Sequence, residues 1–148
     1  MVNREHHPKK FFTREEKDRI LRAIRQAEKE TSGEIRVYLE HKAKGDPLSR
    51  ARKVFEKLGM TKTKSRNGVL IYFSLKDHQF AIVGDQGIHN RVGDLFWKEI
   101  VSKTEARFLQ NDFAGGLEAA IRGIGENLQR YFPRKPGDIN ELPDGISG

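Results

Sequence analysis

The sequence predicts a small α/β sandwich, in which a mixed sheet of three or four strands lies between helices in the order α-β-α-β-β-α-α. Three observations predict it. The two most apolar runs, 69–75 and 80–83, flank the short polar turn Lys76-Asp77-His78, the pattern of a buried antiparallel hairpin. Residues 34–40 alternate polar and apolar, as a half-buried strand does, and a helical segment separates them from the hairpin. The apolar residues before, between and after these strands recur at spacings of three and four.

The elements follow in order. Residues 1–12 read as a flexible arm. Thr13 and Glu16 then fit a capping box, and Ile20, Ile24, Ala27 and Thr31 continue as the inner stripe of a helix over 14–31, which Ser32-Gly33 ends. In strand 34–40, Ile35, Val37 and Leu39 share one face. Gly45-Asp46-Pro47 opens a second helix, with Pro47 suited to its first position, Leu48, Ala51, Phe55 and Leu58 inward, and Gly59 as its stop. Because that helix joins strands 34–40 and 69–75, the right-handed crossover rule makes them parallel; strand 79–84 returns antiparallel. Val92, Phe96, Ile100, Thr104 and Phe108 mark a helix over 90–109. Asn111-Asp112 caps the last helix, where Gly115, Gly116, Gly123 and Gly125 would let a neighbouring backbone approach closely. Pro133 stops it. The domain thus covers 13–133, and 134–148 reads as a disordered tail.

Composition narrows the chemistry. The chain has 148 residues, 36% of them hydrophobic and 33% charged, enough for one core inside a well-solvated surface. No apolar run approaches the ~20 residues that span a bilayer, and the charged start has no secretory pattern, so a cytoplasmic location is expected. Without cysteine, thiolate metal sites and cysteine nucleophiles are excluded. There is no phosphate-binding glycine loop, nucleophile elbow, His-Glu-x-x-His helix or dinucleotide fingerprint.

The net charge of +7 is concentrated between residues 42 and 66, where nine basic side chains face two acidic ones. Arg50, Arg52, Lys53, Lys57, Lys62, Lys64 and Arg66 form a candidate surface for an anion, whether nucleic acid, acidic lipid or acidic protein. A solvated helix face accounts for the same pattern. Only Phe55 is aromatic there, and it falls on the inner stripe, so a platform for single-stranded nucleic acid is not expected.

The topology brings the starts of strands 34–40 and 69–75 and the end of strand 79–84 to one rim. Glu34, Asn67, Asp85 and Asp94 could converge there, with His89 nearby, and three carboxylates with an amide carbonyl suit Ca2+ or Mg2+. Each also has an ordinary reading: Asp85 as a turn residue, Asp94 as a charge near a helix start, Asn67 in a turn and Glu34 facing solvent. The opposite rim gathers Glu40, His41, Asp77 and His78, a mixed set that could hold zinc or perform acid–base work, or merely furnish a polar hairpin end. His6 and His7 fall in the arm, and Phe96 and Trp97 read as core.

Several of these residues, taken together, carry a resemblance. Glu34-Ile-x-Val, Asn67-Gly-Val-Leu-Ile, Gly84-x-x-Gly-Ile88, Asp94 and Asp112-Phe-x-x-Gly-Leu with the later Ile124-Gly125 resemble the TPM-domain family over residues 12–133. Thylakoid acid phosphatase-like and photosystem II repair proteins belong to that family. The resemblance implies an α/β/α sandwich, a possible acid phosphatase activity and calcium at an acidic cluster. It also implies Gly-x-Gly-Leu-Glu after the hairpin, yet His89 stands where that Glu is expected, and a neutral imidazole is a poor calcium ligand. The leading expectation is therefore a soluble protein-binding or accessory module with an unidentified protein partner. A metal-dependent acid phosphatase using Asp85, Asp94 and Glu34, and an anion-binding module using 42–66, are the alternatives.

Overall fold

A computed structural model describes residues 5–136 and 146–147. Helix α1 (Arg14–Glu28) leads to strand β1 (Glu34–Glu40), helix α2 (Pro47–Lys57), the hairpin β2 (Gly68–Ser74) and β3 (Gln79–Gly84), and helices α3 (Gln86–Phe108) and α4 (Phe113–Tyr131). A short strand β4 (Ile146–Ser147) completes a sheet of order β3-β2-β1-β4. β1 and β2 are parallel and β3 is antiparallel to β2, as the crossover and hairpin require.

The sheet separates two cores. On one face Ile35, Val37, Leu39, Ile71 and Phe73 pack with α1, α3 and α4. On the other, Leu70 and Tyr72 pack with Ala51, Val54 and Phe55 of α2. Strand alternation dictates this division, because neighbouring side chains on β1 and β2 point to opposite faces. The α4 glycine at 125 lies against α1, where an added Cβ would come 2.6 Å from that of Ala27.

Several expectations are corrected. The arm over 1–12 is anchored at its end: Phe11 and Phe12 are buried, and the Phe11 ring meets Phe73 and Phe113 edge-on. Their large apolar rings outweigh the charged residues beside them. Helix α1 stops at Glu28 rather than 31, because Thr31 leaves the helix and its hydroxyl is shared between the carbonyl oxygens of Leu128 in α4 and of Phe132 just beyond it. Within the tail expected to be disordered, Ile146 and Ser147 pair with Val37 and Tyr38; residues 137–145 and 148 lie outside those described. In α2 the inner stripe takes Val54 in place of Leu48, which is exposed. Helix α3 begins four residues early, at Gln86, and breaks at Gly93, whose φ of 78° and ψ of 173° are non-helical.

Candidate functional site

The register Glu34↔Gly68 and Val69↔Gly84 brings Glu34, Asn67 and Asp85 to one rim of the sheet. Their surroundings differ. Asp85 is the N-cap of α3 and accepts from the Gln86 amide at 2.8 Å. Both of its oxygens also accept from the Arg66 guanidinium, at 2.7 and 2.9 Å. Asn67 is buried; its side-chain amide donates to Ser32 at 3.2 Å, while its Oδ1 has no hydrogen-bond partner among the described residues. Glu34 is buried beside it, with its backbone amide donating to the Asn67 carbonyl.

Asp94 stands apart, its side chain 82% exposed and 3.4 Å from His89 Nε2. The indole N–H of Trp97 donates to His89 Nδ1 at 3.0 Å, so the imidazole proton sits on Nε2 and points toward Asp94. The four proposed oxygen ligands thus divide into a buried pair, a carboxylate bridged to Arg66 and a solvated carboxylate. Among the described residues no group of three or more His, Asp or Glu is arranged to hold a metal. The Asn67 carbonyl suits a cation; the placement of Asp85 and Asp94 does not.

The opposite rim is also occupied internally. Arg50 donates twice to Glu40, at 2.9 and 2.8 Å, and the Tyr72 hydroxyl donates to the same carboxylate at 2.6 Å. Arg50 holds the Glu40 carboxyl below its ordinary range, and burial followed by Glu40 pushes the Tyr72 hydroxyl up. His6 and His41, and His6 and His78, have ring centroids 6.3 Å apart. Burial, then the charge of His6, lowers the His78 imidazole.

Of the basic residues proposed to bind an anion, Arg50 and Arg66 are engaged by Glu40 and Asp85. Arg52, Lys53, Lys57, Lys62 and Lys64 are exposed.

One large concavity among the described residues was not anticipated. It is an open groove of about 840 Å3 along β3, with Phe80, Ile82, Trp97, Val101, Phe108 and Leu109 among its lining. Leu109 is 88% exposed at its margin. A smaller cleft of about 270 Å3, reaching Arg52, Val83 and Gly84, shares Leu48, Ile82, Trp97 and Lys98 with it. Glu105 in the groove wall has its carboxyl raised by burial. The sequence signal was slight: an apolar Leu109 just past a helix end, and a hairpin strand with one partner.

The TPM domain family model matches residues 7–127, and the chain belongs to that family. It is similar to the BA42 protein of the psychrophilic bacterium Bizionia argentinensis, with 47% identity, a TM-score of 0.85, and 93% of this chain and 94% of that one covered. Two further structures share the fold. The N-terminal domain of a P. gingivalis protein has 18% identity and a TM-score of 0.67, covering 82% of this chain and 78% of that one. The N-terminal domain of cg2496 from Corynebacterium glutamicum has 15% identity and a TM-score of 0.61, covering 93% and 80%. No curated protein matches. Among the described residues no helix is long and apolar enough to cross a membrane.

Proposed function

We propose that this TPM domain is a protein-binding or accessory module that works through the groove beside β3, rather than through catalysis at the acidic rim. One observation carries the reading: the large apolar groove, with exposed Leu48 and Leu109 at its margins. An apolar concavity of this size is the ordinary form of a recognition site. The acidic rim supports it by contrast, since Arg66 already neutralises Asp85.

The test is a photo-reactive residue placed at Leu109 in the full chain in cells, alongside a phosphomonoester assay of the purified protein. Cross-linking to one protein, lost on Val101→Asp, is the expected result. Vigorous hydrolysis with no cross-link at Leu109 would reverse the assignment.

The buried Asn67 carbonyl favours a second reading, in which Ca2+ or Mg2+ binds beside Asn67 and Glu34 for phosphomonoester hydrolysis, with Asp85 and Asp94 joining only on release from Arg66 and from solvent. The cation would supply Lewis-acid stabilisation of the phosphoryl oxygens. Thermal unfolding with each ion tests it: ligand at 100 times its Kd stabilises a fold by about 2.7 kcal/mol. Unchanged unfolding would remove this reading.

A further inference from the structure

We infer that the groove takes an extended segment of another protein as a fifth strand of the sheet, added to β3. The inference rests on the protein-binding reading above and specifies its occupant.

β3 is the terminal strand of the order β3-β2-β1-β4 and, among the described residues, pairs only with β2. The outward N–H and C=O groups of such a strand are a ready template for another chain. Every residue of β3, from Gln79 to Gly84, lines the groove or its adjoining cleft. The floor of the combined trough is therefore a strand edge about 20 Å long at ~3.3 Å per residue.

The walls select the occupant. Leu48 and Arg52 of α2 stand on one side; Trp97, Val101 and Phe108 of α3 stand on the other. Phe80, Ala81 and Ile82 are each only 5% exposed, so the floor is recessed between the two helices. A second copy would present a β3 sunk between its own helices, and the helices would collide before the strands met. A single extended chain is slim enough to enter. Its alternate side chains would meet the α2 wall and the α3 wall in turn.

Charge defines one end. Arg52 and Lys98 line the cleft near Gly84, and neither carries an ion pair among the described residues. Asp94, the carboxylate in that lining, is solvated and stands beside His89, so the two cations still outnumber it. With the chain at +7, this end suits an Asp or Glu of the incoming segment. The partner is thus an apolar, strand-forming segment with an acidic residue at the Gly84 end.

The experiment uses a library of random twelve-residue peptides selected on the full chain, followed by amide NMR with the enriched peptides. Enriched peptides should carry an apolar run next to Asp or Glu and should shift the amides of residues 79–84. Alternate N–H groups of a strand point in opposite directions, so methylating one alternate set of peptide nitrogens should weaken binding at least tenfold. Methylating the other set should be tolerated. Arg52→Glu with Lys98→Glu, both exposed positions, should weaken acidic peptides at least tenfold. Equal effects of the two methylation sets, with shifts confined to α2 and α3, would overturn strand addition while leaving the protein-binding reading intact. Failure to enrich any peptide that perturbs β3 would also overturn strand addition. The Leu109 cross-link then decides the broader reading separately.

Discussion

Arg66 grips Asp85 through two parallel hydrogen bonds, and the carboxylate so held is also the cap of α3. Two roles on one side chain make its substitutions separable. Asp85→Asn removes the charge and keeps a capping oxygen; Asp85→Ala loses both and should cost about 1 kcal/mol more. Arg66→Gln should lower Tm further than Asp85→Asn, because it leaves a buried carboxylate without its cation. The double variant Arg66→Gln/Asp85→Asn should recover part of that loss, a non-additivity that urea unfolding of the four proteins would reveal. Equal, additive losses would show that the pair does not act as a unit.

The same guanidinium predicts cation behaviour. With Arg66→Gln, Asp85 becomes available to a hard cation beside the buried Asn67 carbonyl. Millimolar Ca2+ should therefore raise the Tm of Arg66→Gln more than that of the parent chain. Identical responses of the two proteins would deny Asp85 any part in cation binding.

Acid should weaken the link between α2 and the sheet. Arg50 lowers the Glu40 carboxyl from its ordinary 4.5 against the opposing effect of burial, with Tyr72 adding to the lowering. A group with a depressed folded pKa contributes stability that is complete above its unfolded value and lost as pH falls through the folded one. The loss should begin below about pH 4.5 and deepen on further acidification. The partial exposure of both side chains keeps the effect modest. Denaturant midpoints of the parent and Glu40→Gln should converge as pH falls; a constant separation from pH 7 to pH 3 would contradict the linkage.

What the sequence disclosed follows from where its physics is local. The Thr13–Glu16 box, the Asp46-Pro47 helix start and the alternation of Ile35, Val37 and Leu39 are each decided within a few residues, and each forms as expected. The rim placement of Glu34, Asn67 and Asp85 also followed, since strand order and direction determine it. The bridge that neutralises Asp85 did not. Arg66 lies 19 residues away, in a left-handed conformation with φ 51°, and read only as part of a basic run. The groove was hidden for a similar reason, because it exists only once α2 and α3 stand on either side of the β3 edge.

Phe11 and Phe12 test how firmly the start of the chain is built in. Both rings belong to the core that contains Phe73 and Phe113. Removing a buried aromatic ring costs about 3–5 kcal/mol through lost burial and the cavity left behind. Phe11→Ala should fall in that range by urea unfolding, whereas Lys10→Ala, an exposed neighbour, should stay within about 0.5 kcal/mol. Equivalence of the two substitutions would mean that the aromatic anchor contributes nothing.

Gly93 isolates backbone conformation from packing. Its φ of 78° and ψ of 173° lie in a region that only glycine occupies readily, and nothing lies within 4 Å of a Cβ added there. Crowding therefore cannot contribute to the cost of Gly93→Ala, which should be about 1–3 kcal/mol from strain alone. The break also sets the angle between the turn carrying His89 and the helix carrying Trp97, whose indole donates to that imidazole. Straightening the helix to relieve the strain would disturb that bond, so Trp97 fluorescence should shift along with the loss of Tm. A D-alanine at 93, made by semisynthesis, provides the control, because its mirror-image preferences include this φ and ψ. It should restore both stability and fluorescence; equal damage from the two alanine enantiomers would locate the cost somewhere other than the backbone.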